Sequence, residues 1–206
     1  MIALIDYDAG NIRSVEKALL RLGQEVCITR DREVLLGADK VILPGVGAFG
    51  DAMEHLQEYG LVDVIHETIE KRTPFLGICL GLQLLFERSE EAPGVKGLGI
   101  LKGEILRIPA GEGLKIPHMG WNSLEFQNGG KLFRGLDAEP FVYFVHSYYL
   151  KAEDEQIVKA VTSYGTRIHA SVEWNHVFAC QFHPEKSSGT GLQILKNFAE
   201  LSQEGH

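Results

Sequence analysis

A single cysteine stands between two glycines where strand periodicity gives way to helix periodicity, in Gly77-Ile78-Cys79-Leu80-Gly81. Pro74-Phe75-Leu76-Gly77-Ile78 predicts a short buried strand, and apolar residues from Leu80 to Phe86 recur at helical spacing. Cys79 thus falls on a strand-to-helix turn, the frame of a nucleophile elbow. Glycines two positions to either side let strand and helix approach closely and let the backbone turn sharply, which tips the cysteine out of the sheet. Such a turn ties the chain to an architecture in which strands feed helices. Taken alone, Cys79 fits a buried core position equally well. Its partners decide.

The surrounding pattern extends this reading. Residues 2–6, 25–29, 40–43 and 75–78 read as strands, 12–22 as an amphipathic helix, and 50–71 as one or two helices. The alternation predicts an α/β fold with a mostly parallel, doubly covered sheet whose ligands gather at the carboxyl ends of its strands. From about residue 98 the pattern changes to short β-branched and aromatic runs at 98–102, 104–108, 141–145, 157–162, 168–173 and 177–182. These predict a smaller mixed or antiparallel β region. A helix over about 189–203 follows, and the loop at 109–114 reads as a mobile surface segment. With 206 residues, 45% of them apolar, one domain spanning 1–206 is expected.

Composition narrows the function classes. There are 20 Lys and Arg against 28 Asp and Glu, a net charge of −8, with no basic run, so neither nucleic acid nor an anionic membrane is expected as a partner. No basic leader precedes Ile2-Ala3-Leu4-Ile5-Asp6 and no apolar stretch reaches membrane-spanning length, which predicts a cytoplasmic protein. Cys27, Cys79 and Cys180 are widely spaced, with no Cys-x-x-Cys pair. Neither a disulfide framework nor a metal site is indicated, and no cofactor is expected. Cys27 and Cys180 lie in apolar, strand-like runs and read as core.

A second constellation lies 104 residues beyond Cys79, in Gln181-Phe182-His183-Pro184-Glu185-Lys186. Pro184 confines His183 to an extended conformation and ends the strand ladder. In an extended run His183 and Glu185 face the same side, where the carboxylate can hold the imidazole. An elbow cysteine with an acid-backed histidine can generate a thiolate and protonate a leaving amine. By itself the His-Pro-Glu also fits a solvated strand end. His55 and His66 lie on helix faces, His169 and His176 in strands or turns, and His206 is terminal.

With both halves in view, the chain resembles the class I (triad) glutamine amidotransferases. Asp6-Tyr7-Asp8-Ala9-Gly10-Asn11, Pro44-Gly45-Val46-Gly47-Ala48-Phe49, Pro117-His118-Met119-Gly120-Trp121-Asn122 and Tyr143-Phe144-Val145-His146-Ser147-Tyr148, with the elbow and the His-Pro-Glu, are similar to segments of the glutaminase subunits of imidazole glycerol phosphate synthases. The elbow and His-Pro-Glu are common to the class. The segments at 117–122 and 143–148 are narrower and point to the histidine-biosynthetic members.

The resemblance implies a flavodoxin-like fold and a division of labour. Cys79 would attack the side-chain amide of L-glutamine, His183 would carry the proton to departing ammonia, and Glu185 would orient the imidazolium. The Leu80 amide would be the first oxyanion donor, with the second from Val46 and Gly47, where flanking glycines permit a peptide flip. Gln83, Glu91, His146, Ser147 and Tyr148 would bind glutamine. Asn11, His118, Met119, Gly120, Trp121, Tyr143 and Lys186 would meet a (β/α)8-barrel cyclase subunit that consumes the ammonia. From the residues alone, Asn11 equally fits a helix cap, Glu91 a solvated helix end, Ser147 and Tyr148 a strand edge, and Trp121 the core. Where the family commonly reads Asp-Tyr-Gly this chain has Asp8, which tolerates positive φ less well than glycine. Rival readings are a glutaminase for another synthase, a catalytically silent subunit, and a cysteine peptidase.

Overall fold

The computed structural model describes residues 1–202. The N-terminal half alternates as expected: β1 Ile2–Ile5, α1 Ile12–Arg21, β2 Val26–Thr29, α2 Arg32–Leu36, β3 Lys40–Leu43, α3 Phe49–Glu58, α4 Leu61–Glu70, β4 Phe75–Ile78 and α5 Leu80–Leu84. Gly60, at φ 65°, divides the predicted 50–71 segment into α3 and α4. The unanticipated α2 is a five-residue helix whose first turn is capped by Asp31, which accepts from the Val34 amide at 3.0 Å.

The second half supplies β5 Arg88–Ser89, β6 Gly103–Arg107, β7 His118–Ser123, β8 Glu125–Phe126, β9 Phe141–His146, β10 Tyr148–Ala152, β11 Val158–Ser163, β12 Arg167–Trp174, β13 Val177–Cys180 and α6 Ser188–Ala199. An eight-stranded sheet runs β2-β1-β3-β4-β13-β12-β11-β8, parallel from β2 to β13 and antiparallel beyond. A three-stranded sheet, β10-β6-β5, and an antiparallel pair, β7 with β9, form the smaller β region.

Two apolar cores cover the large sheet, and strand alternation assigns residues to them. Ile2, Leu4, Ile42, Leu76, Ile78, Phe178 and Cys180 pack with Val15 and Leu19 of α1 and Ile194, Leu195 and Phe198 of α6. Ala3, Ile5, Val41, Leu43, Phe75, Val177 and Ala179 pack with α2, α3 and α4. This two-sided burial explains why the inner strands read as continuous apolar runs.

One predicted strand does not form. Leu98 and Leu101 are buried, but the amides of Leu98, Ile100 and Leu101 donate to the carbonyls of Leu84 and Leu85 at 2.8 to 3.0 Å. The segment caps the C-terminal end of α5 instead of joining a ladder. The last helix ends at Ala199, short of the expected 203, and position 203 and His206 lie outside the described residues. Residues 109–113 form an exposed loop.

Candidate active site

Cys79 joins β4 to α5 at φ 54° and ψ −106°, a strained positive-φ conformation that a cysteine adopts only when its surroundings impose it. The constraint comes from both sides. The Cys79 amide donates to the Cys180 carbonyl at 2.8 Å, and close packing holds α5 against the sheet. A Cβ on Gly77 would sit 2.7 Å from the Gly81 carbonyl oxygen, and one on Gly81 only 1.9 Å from that of Leu43. Both glycines of the frame are thus fixed by close approach.

His183 leaves β13 in an extended conformation, φ −100° and ψ 97°. The next residues do not continue it: Pro184–Lys186 forms a 3-10 turn. The turn still brings Glu185 Oε1 to 2.7 Å from His183 Nδ1, with both side chains fully buried. The ring is anchored through its main chain to β9, since the His183 amide donates to the Tyr143 carbonyl at 2.9 Å and Ser187 Oγ donates to the His183 carbonyl at 2.6 Å. Burial pushes the imidazole pKa down, but Cys79 and Glu185 outweigh it and raise it to about 10. Among the described residues His183 Nε2 has no hydrogen-bond partner, which leaves it open to carry a proton.

Asn11 departs from the helix-cap reading in where its side chain goes. It sits at φ 74° before α1 and makes no side-chain cap. Its Nδ2 instead donates to Glu185 Oε1 and lies 3.5 Å from His183 Nδ1. The loop that carries it is tied down by Asp8, whose φ of 64° is the positive value that favours glycine. Arg30 donates to Asp8 at 2.7 Å, Tyr59 donates to it as well, and the guanidinium lies 4.1 Å over the Tyr59 ring. These contacts offset the backbone strain at Asp8.

The Leu80 amide, expected as an oxyanion donor, is occupied within the chain. The Leu80 amide donates to the Gly45 carbonyl at 3.2 Å. Tyr7 fixes the preceding residue, its hydroxyl donating to the Pro44 carbonyl at 2.7 Å. Burial and the nearby Cys79 hold that phenol strongly protonated. A Cβ on Gly45 would fall 1.9 Å from the same hydroxyl, so only glycine fits there.

Val46, Gly47, Cys79 and Leu80 open on a cavity of about 330 Å³ whose far wall is Gln83, Glu91, Pro117, Val145, His146, Ser147 and Tyr148. All five residues expected to bind substrate therefore face the elbow. Glu91 is tied to the start of α3, accepting from the Phe49 amide at 2.9 Å, and Gln83 donates to the Tyr148 carbonyl at 3.1 Å. A larger cavity, about 440 Å³, is lined by Arg72, Pro74, Lys131 and His176 and lies at the opposite, amino ends of β4 and β13, away from the elbow.

The remaining expected contact residues on the β7–β9 ladder divide between its two faces. Met119, Trp121 and Phe141 are 62%, 51% and 57% exposed, and the Trp121 ring meets Tyr143 edge-on at 6.1 Å. Trp121 is thus no core residue. Gly120, at φ 132°, continues that strand, and Lys186 is exposed at the end of the 3-10 turn that follows His183. His118 points inward: its Nδ1 lies 2.9 Å from His146 Nε2, and its ring stacks on Phe144 and Tyr164. His146 Nδ1 must donate to the Tyr148 carbonyl at 2.8 Å, so its Nε2 accepts and His118 Nδ1 donates. Burial holds both rings neutral, with pKa values lowered to about 4 for His118 and about 3 for His146.

Two residues escaped the motif reading. Tyr7 was visible only as part of a loop, because its target is a main-chain carbonyl. Gln181, fully buried, places Nε2 3.6 Å from Cys79 Sγ. The same-side argument that pairs 183 with 185 also pairs 181 with 183 and is the signal that finds it. Among the described residues no group of three or more His, Cys, Asp or Glu could hold a metal ion, and no helix is long and apolar enough to cross a membrane.

Known proteins resemble this chain along nearly its whole length. Residues 3–201 match the family described as glutamine amidotransferase class-I. The imidazole glycerol phosphate synthase subunit HisH of Moorella thermoacetica is 54% identical over 97% of this chain and 94% of its own. That of Aquifex aeolicus is 52% identical over 98% and 97%, and that of Methanocaldococcus jannaschii 49% identical over 98% and 100%. Among solved structures, a glutamine amidotransferase superimposes with a TM-score of 0.75 at 24% identity, covering 97% of this chain and 100% of that one. PurLQS from Thermotoga maritima gives 0.74 at 22%, covering 96% of each. These two likenesses speak for the fold. With about half of all positions identical along nearly the full length, the chain belongs to the class I glutamine amidotransferase family, in the group of the HisH subunits of imidazole glycerol phosphate synthase.

Proposed function

We propose that residues 1–206 act as one glutamine amidotransferase domain, the glutaminase of an imidazole glycerol phosphate synthase. The observation that carries the chemistry is an elbow cysteine beside a buried His183–Glu185 pair on a cavity lined by amide-binding groups. Cys79 sulfur attacks the side-chain amide carbon of glutamine, and the C–N bond breaks as His183 Nε2 delivers a proton to departing ammonia. The acyl group remains on sulfur as a glutamyl thioester. Water, deprotonated by the now neutral imidazole, hydrolyses it to glutamate. Glu185 and Asn11 hold the ring in the orientation that leaves Nε2 available.

The Gly45 carbonyl on the Leu80 amide supports a gated site. The Gly45 carbonyl and the Val46 N–H belong to one peptide unit. Rotating that unit vacates the Leu80 donor and turns the Val46 donor toward it, with Tyr7 holding the hinge at Pro44. The exposed apolar face of Met119, Trp121 and Phe141 suits a partner subunit, and β9 of the same ladder is bonded to His183. That partner is a (β/α)8-barrel cyclase, which joins the ammonia to a phosphoribosyl nucleotide and yields imidazole glycerol phosphate and an aminoimidazole carboxamide ribotide. We place the pair in the cytoplasm, where three free thiols stay reduced.

Glutamine turnover measured with and without the cyclase and its nucleotide tests the reading. The expected result is low activity alone and a rise of at least tenfold in the complex. Cys79→Ser should abolish hydrolysis and leave complex formation intact. High activity without a partner would refute the gate, and activity in Cys79→Ser would refute the nucleophile.

A further inference from the structure

Gln181 is buried next to the nucleophile, and its orientation can be deduced. The Tyr148 carbonyl can only accept, so the Gln83 atom 3.1 Å from it is the Nε2 donor. The same nitrogen lies 3.1 Å from the Gln181 side chain, whose facing atom must then be the acceptor Oε1. Gln181 therefore presents its own Nε2 to Cys79 Sγ at 3.6 Å. Both main chains are held in register: the Gln181 amide donates to the Ala170 carbonyl at 2.9 Å, and the Cys79 amide to the adjacent Cys180 carbonyl at 2.8 Å.

A neutral thiol is a weak acceptor, and a buried amide N–H facing one gains little. Facing a thiolate, it makes a charge-assisted hydrogen bond. We propose that Gln181 is a positioning residue for the nucleophile, an uncharged donor that holds Cys79 sulfur in its ionised, attacking orientation and links it through Gln83 to the wall of the glutamine cavity. The inference rests on the reading of Cys79 as the nucleophile. His183 controls the proton, and Gln181 controls where the sulfur points. Because Gln83 shares one nitrogen between Gln181 and Tyr148, a ligand that draws Gln83 into the cavity also changes the hold on the sulfur.

Gln181→Met keeps the volume and removes the donor. Two readouts separate positioning from core filling. The first is the pH profile of Cys79 alkylation by iodoacetamide in the full chain, followed on the Cys79 peptide. In Gln181→Met its acid limb should move to higher pH, slowing alkylation about tenfold at a pH on that limb. The second is glutaminase kinetics in the complex with the cyclase, where kcat should fall about tenfold while KM changes less than threefold. Side-chain amide NMR of the parent chain needs no variant: the Gln181 Nε2 protons should shift along the same pH profile and again on alkylation. Alkylation and kcat within twofold of the parent, or amide resonances that ignore the state of Cys79, would overturn the proposal. A parent complex that hydrolyses no glutamine would instead defeat the proposed function, and the alkylation and NMR arms would still decide the role of Gln181.

Discussion

Replacing Gly81 with alanine tests the elbow most severely. Gly81 lies within α5, where alanine should stabilise the helix by about 1 kcal/mol on propensity alone. The space forbids it. The new Cβ would lie 1.9 Å from the Leu43 carbonyl oxygen, against a limit of 3.0 Å for real contacts, so at least 1.1 Å of backbone movement is required. At Gly77 the corresponding contact is 2.7 Å, and a shift of 0.3 Å relieves it. Overpacking of rigid elements costs 1–3 kcal/mol and sometimes more, so we expect a net loss of about 3 kcal/mol for Gly81→Ala and about 1 kcal/mol for Gly77→Ala. The movement also falls where it matters, because Leu43 leads directly into Pro44 and Gly45. A displacement of that size at a reacting centre should lower glutamine turnover by about a hundredfold. Urea unfolding at constant m-value gives the stability change, and turnover in the cyclase complex gives the activity. A Gly81→Ala chain at least as stable as the parent, with parental turnover, would refute the argument from close approach.

Three further outcomes are expected. Asn11→Ala leaves Glu185 Oε1 to His183 alone and should lower kcat about tenfold, about 1.4 kcal/mol, with little change in KM; an effect on partner affinity only would contradict its place on the carboxylate. His146 has its pKa lowered to about 3 from an ordinary 6.5, so the unfolded chain takes up this proton first. Its contribution is complete above about pH 6.5 and declines as pH falls toward 3, about 2 kcal/mol between pH 7 and 5. His183, raised to about 10, has the opposite sign: its contribution is present below 6.5 and lost as pH rises through 10. Urea titrations at pH 7 and 5 should show the acid loss, and His146→Gln should lessen it while His118, lowered to about 4, still contributes; an unchanged slope would remove His146 as a cause. Trp121→Ala, at a site 51% exposed, should leave the melting temperature of the free chain within about 2 °C and weaken cyclase binding about 30-fold, about 2 kcal/mol. A large loss of thermal stability would show the indole to be part of the core.

The parallel half of the fold was legible because burial on both faces leaves uninterrupted apolar strands between amphipathic helices. The outer β region was less so. β7 carries Gly120 and polar residues, since one of its faces is open, and its pattern does not resemble a core strand. Conversely, Leu98–Leu101 looked like a strand because its side chains are buried, although its amides are spent on the end of α5. At the site, residue identities pointed to Cys79, His183 and Glu185, and the cavity collects the expected binding residues around the elbow. Directions were harder. The left-handed turn that swings Asn11 onto Glu185, the inward rotation of His118, and the Gly45 carbonyl on the Leu80 amide depend on backbone torsions that neighbouring elements impose.

The central claim is a glutamyl thioester on Cys79, formed when a partner opens the oxyanion site. Acid quenching of the cyclase complex during glutamine turnover, followed by mass spectrometry of the Cys79 peptide, reads it directly. The account predicts a glutamyl adduct on that peptide in the complex, far less on the free chain, and none in Cys79→Ser. Full glutamine turnover with no adduct, and with Cys79→Ser still active, would contradict it.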